Sequence, residues 1–308
     1  MPAVARIDPK DVFTAEEWAE LSARSYWRGL VCVAGAWGLI AAAGAMFVLW
    51  PHPLTYLLAV MLIGARQLGL AILMHDAAHG ALHPNAKINE WVGEWLCAAP
   101  VGARLGAYRA YHLQHHRYTE QPEDPDLGLS APFPISRPSL WRKIVRDLTG
   151  QTFFKQRIAP LLAWRRMEAR AGGNVTADAQ ANNFLAFNAA LLLALTLAGY
   201  WWAYLALWIA PMATWFPLVT RLRNIGEHAV VDTREDPFTH ARTTLANPIE
   251  RLLIAPYWVH YHGEHHVFMY VPCYNLQSMH KMLMAKGYGA RMRIARGYAS
   301  VLRQAAPT

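Results

Sequence analysis

The sequence predicts an all-α integral membrane protein: four transmembrane helices in two hairpins, with a cytoplasmic helical cap that carries clustered histidines. Three observations predict it. The 308 residues contain three long stretches almost free of charge, the basic residues lie outside those stretches, and eight of the fourteen histidines fall in three five-residue windows. With 54% of residues in the AVILMFWYC set and 16% charged, a disordered chain, a coiled coil and a basic nucleic-acid-binding arm are excluded. Cys32, Cys97 and Cys273 form no close pair, which places the polar parts in a reducing compartment.

The first span is expected over 29–50, where 22 residues carry no ionisable side chain. As a helix they reach about 33 Å, enough to cross a bilayer. The run is too long for the apolar core of a signal peptide and follows 28 residues with five acids, so it reads as a span. After the turn Trp50-Pro51-His52-Pro53, a second span is expected over 54–74, interrupted only by Arg66. An arginine deep in a span costs about 2.5–3.5 kcal/mol on insertion scales, so Arg66 is expected to face protein or water.

The longest stretch, Ala179 to Thr220, has no Asp, Glu, Lys, Arg or His in 42 positions. Gly199 and the aromatics Tyr200, Trp201 and Trp202 divide it into spans expected over 183–199 and 201–220, with the aromatic group marking an interface. Gly172-Gly173-Asn174 is the clearest break before this second hairpin. In the segment between the hairpins, Leu140, Trp141, Ile144, Val145 and Leu148 recur at helical spacing among Arg142, Lys143 and Arg146. That pattern predicts an amphipathic helix, lying on the membrane or packed on its neighbours.

Two hairpins leave 75–182 and 221–308 on one side. These segments hold 13 and 11 basic residues and net charges of +3 and +5, while neither hairpin connection has any Lys or Arg. The positive-inside rule makes that side cytoplasmic, within a single domain spanning 1–308. The overall +8 then faces lipid headgroups, not nucleic acid.

The histidine windows are His75-Asp-Ala-Ala-His79, His112-Leu-Gln-His115-His116 and His262-Gly-Glu-His265-His266. Random placement would put about 0.7 histidines in those positions. On a helix, residues at i, i+3 and i+4 share one face, so each window can aim its imidazoles at one point. Eight imidazoles exceed one tetrahedral site and suggest two metals, although imidazole alone does not name the element. Asn224 and His228 follow the last span at i and i+4. A metal transporter or proton pump would instead need ionisable groups at mid-span, where only Arg66 lies.

In these motifs and their order the sequence resembles the membrane fatty acid desaturase and hydroxylase superfamily. The carrying phrases are His75-Asp-Ala-Ala-His79-Gly80, the H-x-x-H-H box at His112, Arg223-Asn224-Ile-Gly-Glu227-His228, and Tyr261-His262-Gly-Glu-His265-His266. The resemblance covers about residues 30 to 285. It implies a non-haem di-iron centre, two Fe held by His75, His79, His112, His115, His116, His228, His262, His265 and His266, with Asn224 reaching one metal through water. It also implies O2 as co-substrate and removal of hydrogen from an unactivated C–H bond. Asp76, Glu227 and Glu264 stand beside ligands and are candidates to orient them. His83 is a candidate for a supporting or structural place, and His52, His240, His260 and His280 read as ordinary histidines. Glu123-Asp124-Pro125-Asp126 resembles a family stretch but reads as a solvated loop.

The tail from His262 to Leu276 leans towards lipid desaturation. The first box and Asp124-Pro125-Asp126 also resemble carotenoid hydroxylases and ketolases, so a lipid or carotenoid hydroxylase or ketolase is the alternative. A non-catalytic metal-binding membrane protein is a third reading. No fused cytochrome segment, rubredoxin-like cysteine pairs or dinucleotide loop occurs in the sequence, so a separate ferredoxin, rubredoxin or cytochrome is expected to supply electrons.

Overall fold

A computed structural model describes residues 3–159, 179–231 and 236–307. It is mostly helical, with two four-residue strands among the described residues.

The first long helix, Arg28–Leu49, matches the expected span and is mainly exposed on its flanks. The second, Pro53–Ala78, is the central element: 67% of its apolar window is buried within the protein. Proline at its first position and a cap from His52, whose Nδ1 accepts the Leu54 N–H at 3.2 Å, set where it starts. It continues past the expected end at 74, so His75 rides on its last turn. Arg66 turns into the protein, where Nη2 donates to the Leu252 carbonyl at 2.6 Å and the guanidinium lies 5.5 Å from the Tyr257 ring.

Among the described residues three helices, not four, are long and apolar enough to cross a membrane: Arg28–Leu49, Pro53–Ala78 and Trp201–His228. A further apolar helix, Ala179–Leu197, overlies the expected span 183–199. Gly199, at φ +82°, follows the end of this helix at Leu197. The last helix, by contrast, runs well beyond 220 and delivers Asn224 and His228 on its final turns. Its close approach to the central helix needs Gly64, since a Cβ there would lie 2.8 Å from the Trp215 Cβ.

The amphipathic pattern forms the helix Arg137–Leu148, capped by Ser136. Leu140 packs in a cluster with Ile225, Ala229 and Val301. Buried Asp147 accepts two hydrogen bonds from Arg221 of the last helix, one of them Nη2 to Oδ1 at 2.8 Å. Trp141 and Leu148 stay exposed. The break at Gly172-Gly173-Asn174 lies outside the described residues.

In the tail, Arg242–Leu245 pairs in parallel with Arg293–Arg296, an addition to the all-α expectation. Thr243 also bridges to Tyr261. The little sheet thereby anchors the segment that leads into the third histidine box.

Candidate metal centre

Four elements end at one place. The central helix brings His75, and His79 caps it just before the chain turns at Gly80 with φ +67°. The helix Leu105–Tyr118 presents His112, His115 and His116 from one side. The last span's helix ends on His228, and the short helix His262–Val267 presents His262, His265 and His266.

The nine imidazoles separate into two adjacent groups. His75, His79, His112, His116 and His265 form one, and His115, His228, His262 and His266 the other, with ligand atoms within 4.8 Å of one another in each. His115 and His116 are neighbours in sequence yet serve different groups, as do His265 and His266.

The ring nitrogens face each other closely. His116 Nε2 lies 3.0 Å from both His112 Nε2 and His265 Nε2. In the second group, His262 Nε2 lies 2.9 Å from His228 Nε2 and 3.0 Å from His266 Nε2. Two nitrogens each about 2.1 Å from one metal and at right angles to it lie about 3.0 Å apart. Lone pairs turned on each other repel unless a cation lies between them. The buried nitrogens His75 Nε2, His79 Nδ1 and His79 Nε2 also have no hydrogen-bond partner, which buried polar atoms rarely lack. Burial, reinforced by neighbouring histidines, holds His112, His116, His262, His265 and His266 well below the usual imidazole range. They are therefore neutral, the form that binds metal. The donor set fits two metal ions.

Around this centre the acids differ from the sequence expectation. Asp124 is not solvated: it is buried, and its Oδ1 accepts from His115 Nδ1 at 2.8 Å and from the Asp126 N–H at 2.8 Å. Its Oδ2 accepts the Glu120 N–H at 2.8 Å, closing the loop against the histidines. The available signal was an acid a few residues beyond a histidine box, but a Pro-rich stretch reads as surface until its packing is known. Glu227 is 3.5 Å from His262 Nδ1 and is paired with Arg223. Asp76 is 3.7 Å from His75 Nδ1, while its other oxygen accepts the Cys273 N–H at 2.9 Å. Glu264 points away from the ligands, accepting from Thr243 Oγ1 and lying against His280 Nδ1.

Asn224 lines a cavity with His112, His115, His228 and His262, where Arg223 and Glu227 also face it. Tyr108, not singled out in the sequence, stacks on His112 with ring centroids 5.3 Å apart. His83 is in neither group. It is buried, and its Nδ1 accepts the Asn85 N–H at 3.0 Å, a structural place. Buried His260 and His240 also stand outside both groups.

Comparison with known proteins places this geometry. The family model described as fatty acid desaturase matches residues 51–297. A "Dihydrorhizobitoxine desaturase" of Bradyrhizobium elkanii is 28% identical over 270 residues, covering 83% of this chain and 75% of that protein. A "Beta-carotene ketolase" of Paracoccus sp. (strain PC1) is 34% identical over 95 residues, 28% of this chain and 38% of that protein.

Proposed function

The chain belongs to the fatty acid desaturase family and is an oxidoreductase, and on that premise we propose that it is a membrane di-iron enzyme that uses O2 to place a double bond in a fatty acyl or similar long apolar chain. The observation that carries this reading is the division of nine convergent imidazoles into two adjacent groups beside a cavity at the end of the apolar helices. His75, His79, His112, His116 and His265 would hold one iron, and His115, His228, His262 and His266 the other. Asn224, on the cavity wall beside His228, is placed to act through water.

When bound, a reduced iron pair supplies the O2-dependent oxidising power that hydrogen removal from an unactivated carbon needs. The protein's own residues do the remaining work. Asp124 accepts the His115 Nδ1–H and so turns Nε2 inward. Tyr108 holds the His112 ring by stacking. The helix ends keep the reacting carbon at the apolar boundary, where one position of a flexible chain must be presented. The protein thus works from the membrane, with its histidines on the cytoplasmic face and a separate ferredoxin, rubredoxin or cytochrome as donor.

Hydroxylation or ketolation of a lipid or carotenoid is the second reading, favoured by the partial likeness to the ketolase. Expression followed by mass spectrometry of lipids and pigments separates the two. Loss of two hydrogens supports desaturation, and gain of one oxygen with no new double bond overturns it. Purified protein should contain about two irons per chain, and His116→Ala or His265→Ala should lower iron and abolish product. Zinc in place of iron, with no product, would favour simple metal binding.

A further inference from the structure

A second cleft lies beside the centre and has no part in holding the histidines. Leu129, Phe153, Met212, Phe216 and Pro217 form its apolar walls, around a volume of about 140 Å³. Leu129 and Asn224 border both this cleft and the cavity that touches His112, His228 and His262. A molecule in the cleft is therefore one layer of side chains from the centre.

Among the described residues its charge is unbalanced. Two arginines line it, Arg157 and Arg221, and no acid does. Arg221 is neutralised by Asp147. Arg157 donates to one backbone carbonyl, that of Gly102, and has no carboxylate partner among the described residues. Other arginines on this side are better satisfied: Arg109 pairs with Glu90, Arg223 with Glu227, and Arg242 donates to four backbone carbonyls. A cation withdrawn from water without a counter-ion is costly, and an anionic ligand would relieve that cost.

We propose that this cleft binds an amphiphile with one free carboxylate, seated on Arg157, with its apolar chain running over Met212 and Phe216 towards Asn224. The substrate would then be a free acid and not an ester. Gln156 and Thr152 line the cleft beside Arg157 and offer further hydrogen bonds to the head group. This assignment rests on the proposed oxidative reading of the histidine centre for its purpose, but its binding chemistry stands on Arg157 alone.

The test uses the full-length protein in phosphatidylcholine nanodiscs, with radiolabelled octanoate, dodecanoate and hexadecanoate as probes. At one length at least, the acid should compete about tenfold or more better than the alcohol or methyl ester of the same length. Arg157→Gln should erase that difference, and Arg157→Lys should keep part of it. The wild-type comparison needs no variant, so a folding defect in Arg157→Gln does not shelter the idea. Equal competition by acid, alcohol and ester at every length overturns it, and so does acyl-CoA competing as well as the free acid. Iron and product are scored separately. Acid preference in a protein without iron keeps the cleft and removes the reaction, while iron and product without acid preference do the reverse.

Discussion

At His115 the two ring nitrogens have separate tasks: Nδ1 lies 2.8 Å from Asp124, and Nε2 faces the second histidine group, 3.3 Å from His266 Nε2. A carboxylate on Nδ1 fixes the tautomer and makes the other nitrogen a better donor to metal. Asp124 also accepts two backbone N–H groups, so it holds the loop and the ligand together. Replacing it with Asn keeps the shape and removes the charge. Asp124→Asn should therefore retain metal about 10–100-fold more weakly, read by iron content against a chelator series, with unchanged expression. Unaltered retention would show that the loop, not the charge, is what matters. Eight of the nine histidines were legible because identical chemistry recurs at helical spacing, and the isolated His228 through the family resemblance. Asp124 was not, because a single acid in a loop looks the same whether its side chain meets water or an imidazole.

Among the helices, the decisive contact is between the central span and the last one. Each brings a ligand to the centre on its final turn, His75 and His228, so their separation helps set the spacing of the two groups. Gly64 permits the approach: an added Cβ would meet Trp215 Cβ at 2.8 Å and Phe216 N at 3.1 Å. Gly35 on the first helix faces open space, with nothing within 4 Å. Gly64→Leu should lower the thermal midpoint in detergent, at an overpacking cost of about 1–3 kcal/mol, and reduce bound iron. Gly35→Ala should be neutral or slightly stabilising, since Ala exceeds Gly in helix propensity by about 1 kcal/mol. Equal effects from the two would show that the interhelical approach is not critical. Span ends were less legible than spans. A run without charge says that no residue is costly in lipid, but where a helix ends follows from breaks such as Gly199 and from packing, and Pro53–Ala78 runs past its expected end at 74.

For the molecule as a whole, both helix connections, at 50–52 and 198–200, fall at the ends of the long helices away from the histidines. The charged segments gather at the other end. If the long helices cross the bilayer, the two ends lie on opposite sides. Single cysteines replacing His52 and Tyr200, in a background free of native cysteine, should react with a membrane-impermeant reagent from the outside of intact cells. Cysteine at exposed Arg303 should react only after permeabilisation. Labelling of all three from one side would overturn the spanning arrangement. The exposed Trp141 and Leu148 on the Arg137–Leu148 helix lie in the segment that the charge pattern assigns to the histidine side.

By itself the sequence determined the family and the histidine clusters, because both rest on which residues recur and at what interval: imidazoles three and four positions apart behave alike on any helix, and long apolar runs have few other uses. Only the tertiary structure decided how that chemistry is divided. Neighbours such as His115 and His116 point to different groups because a step of one residue turns a helix by about 100°. Asp124 becomes a ligand's partner only when its loop folds back, and that Arg157 meets no carboxylate among the described residues is seen only once the chain is folded. Which histidines gather around one point is set by contacts such as His116 with His265, 149 residues apart, which no local spacing encodes.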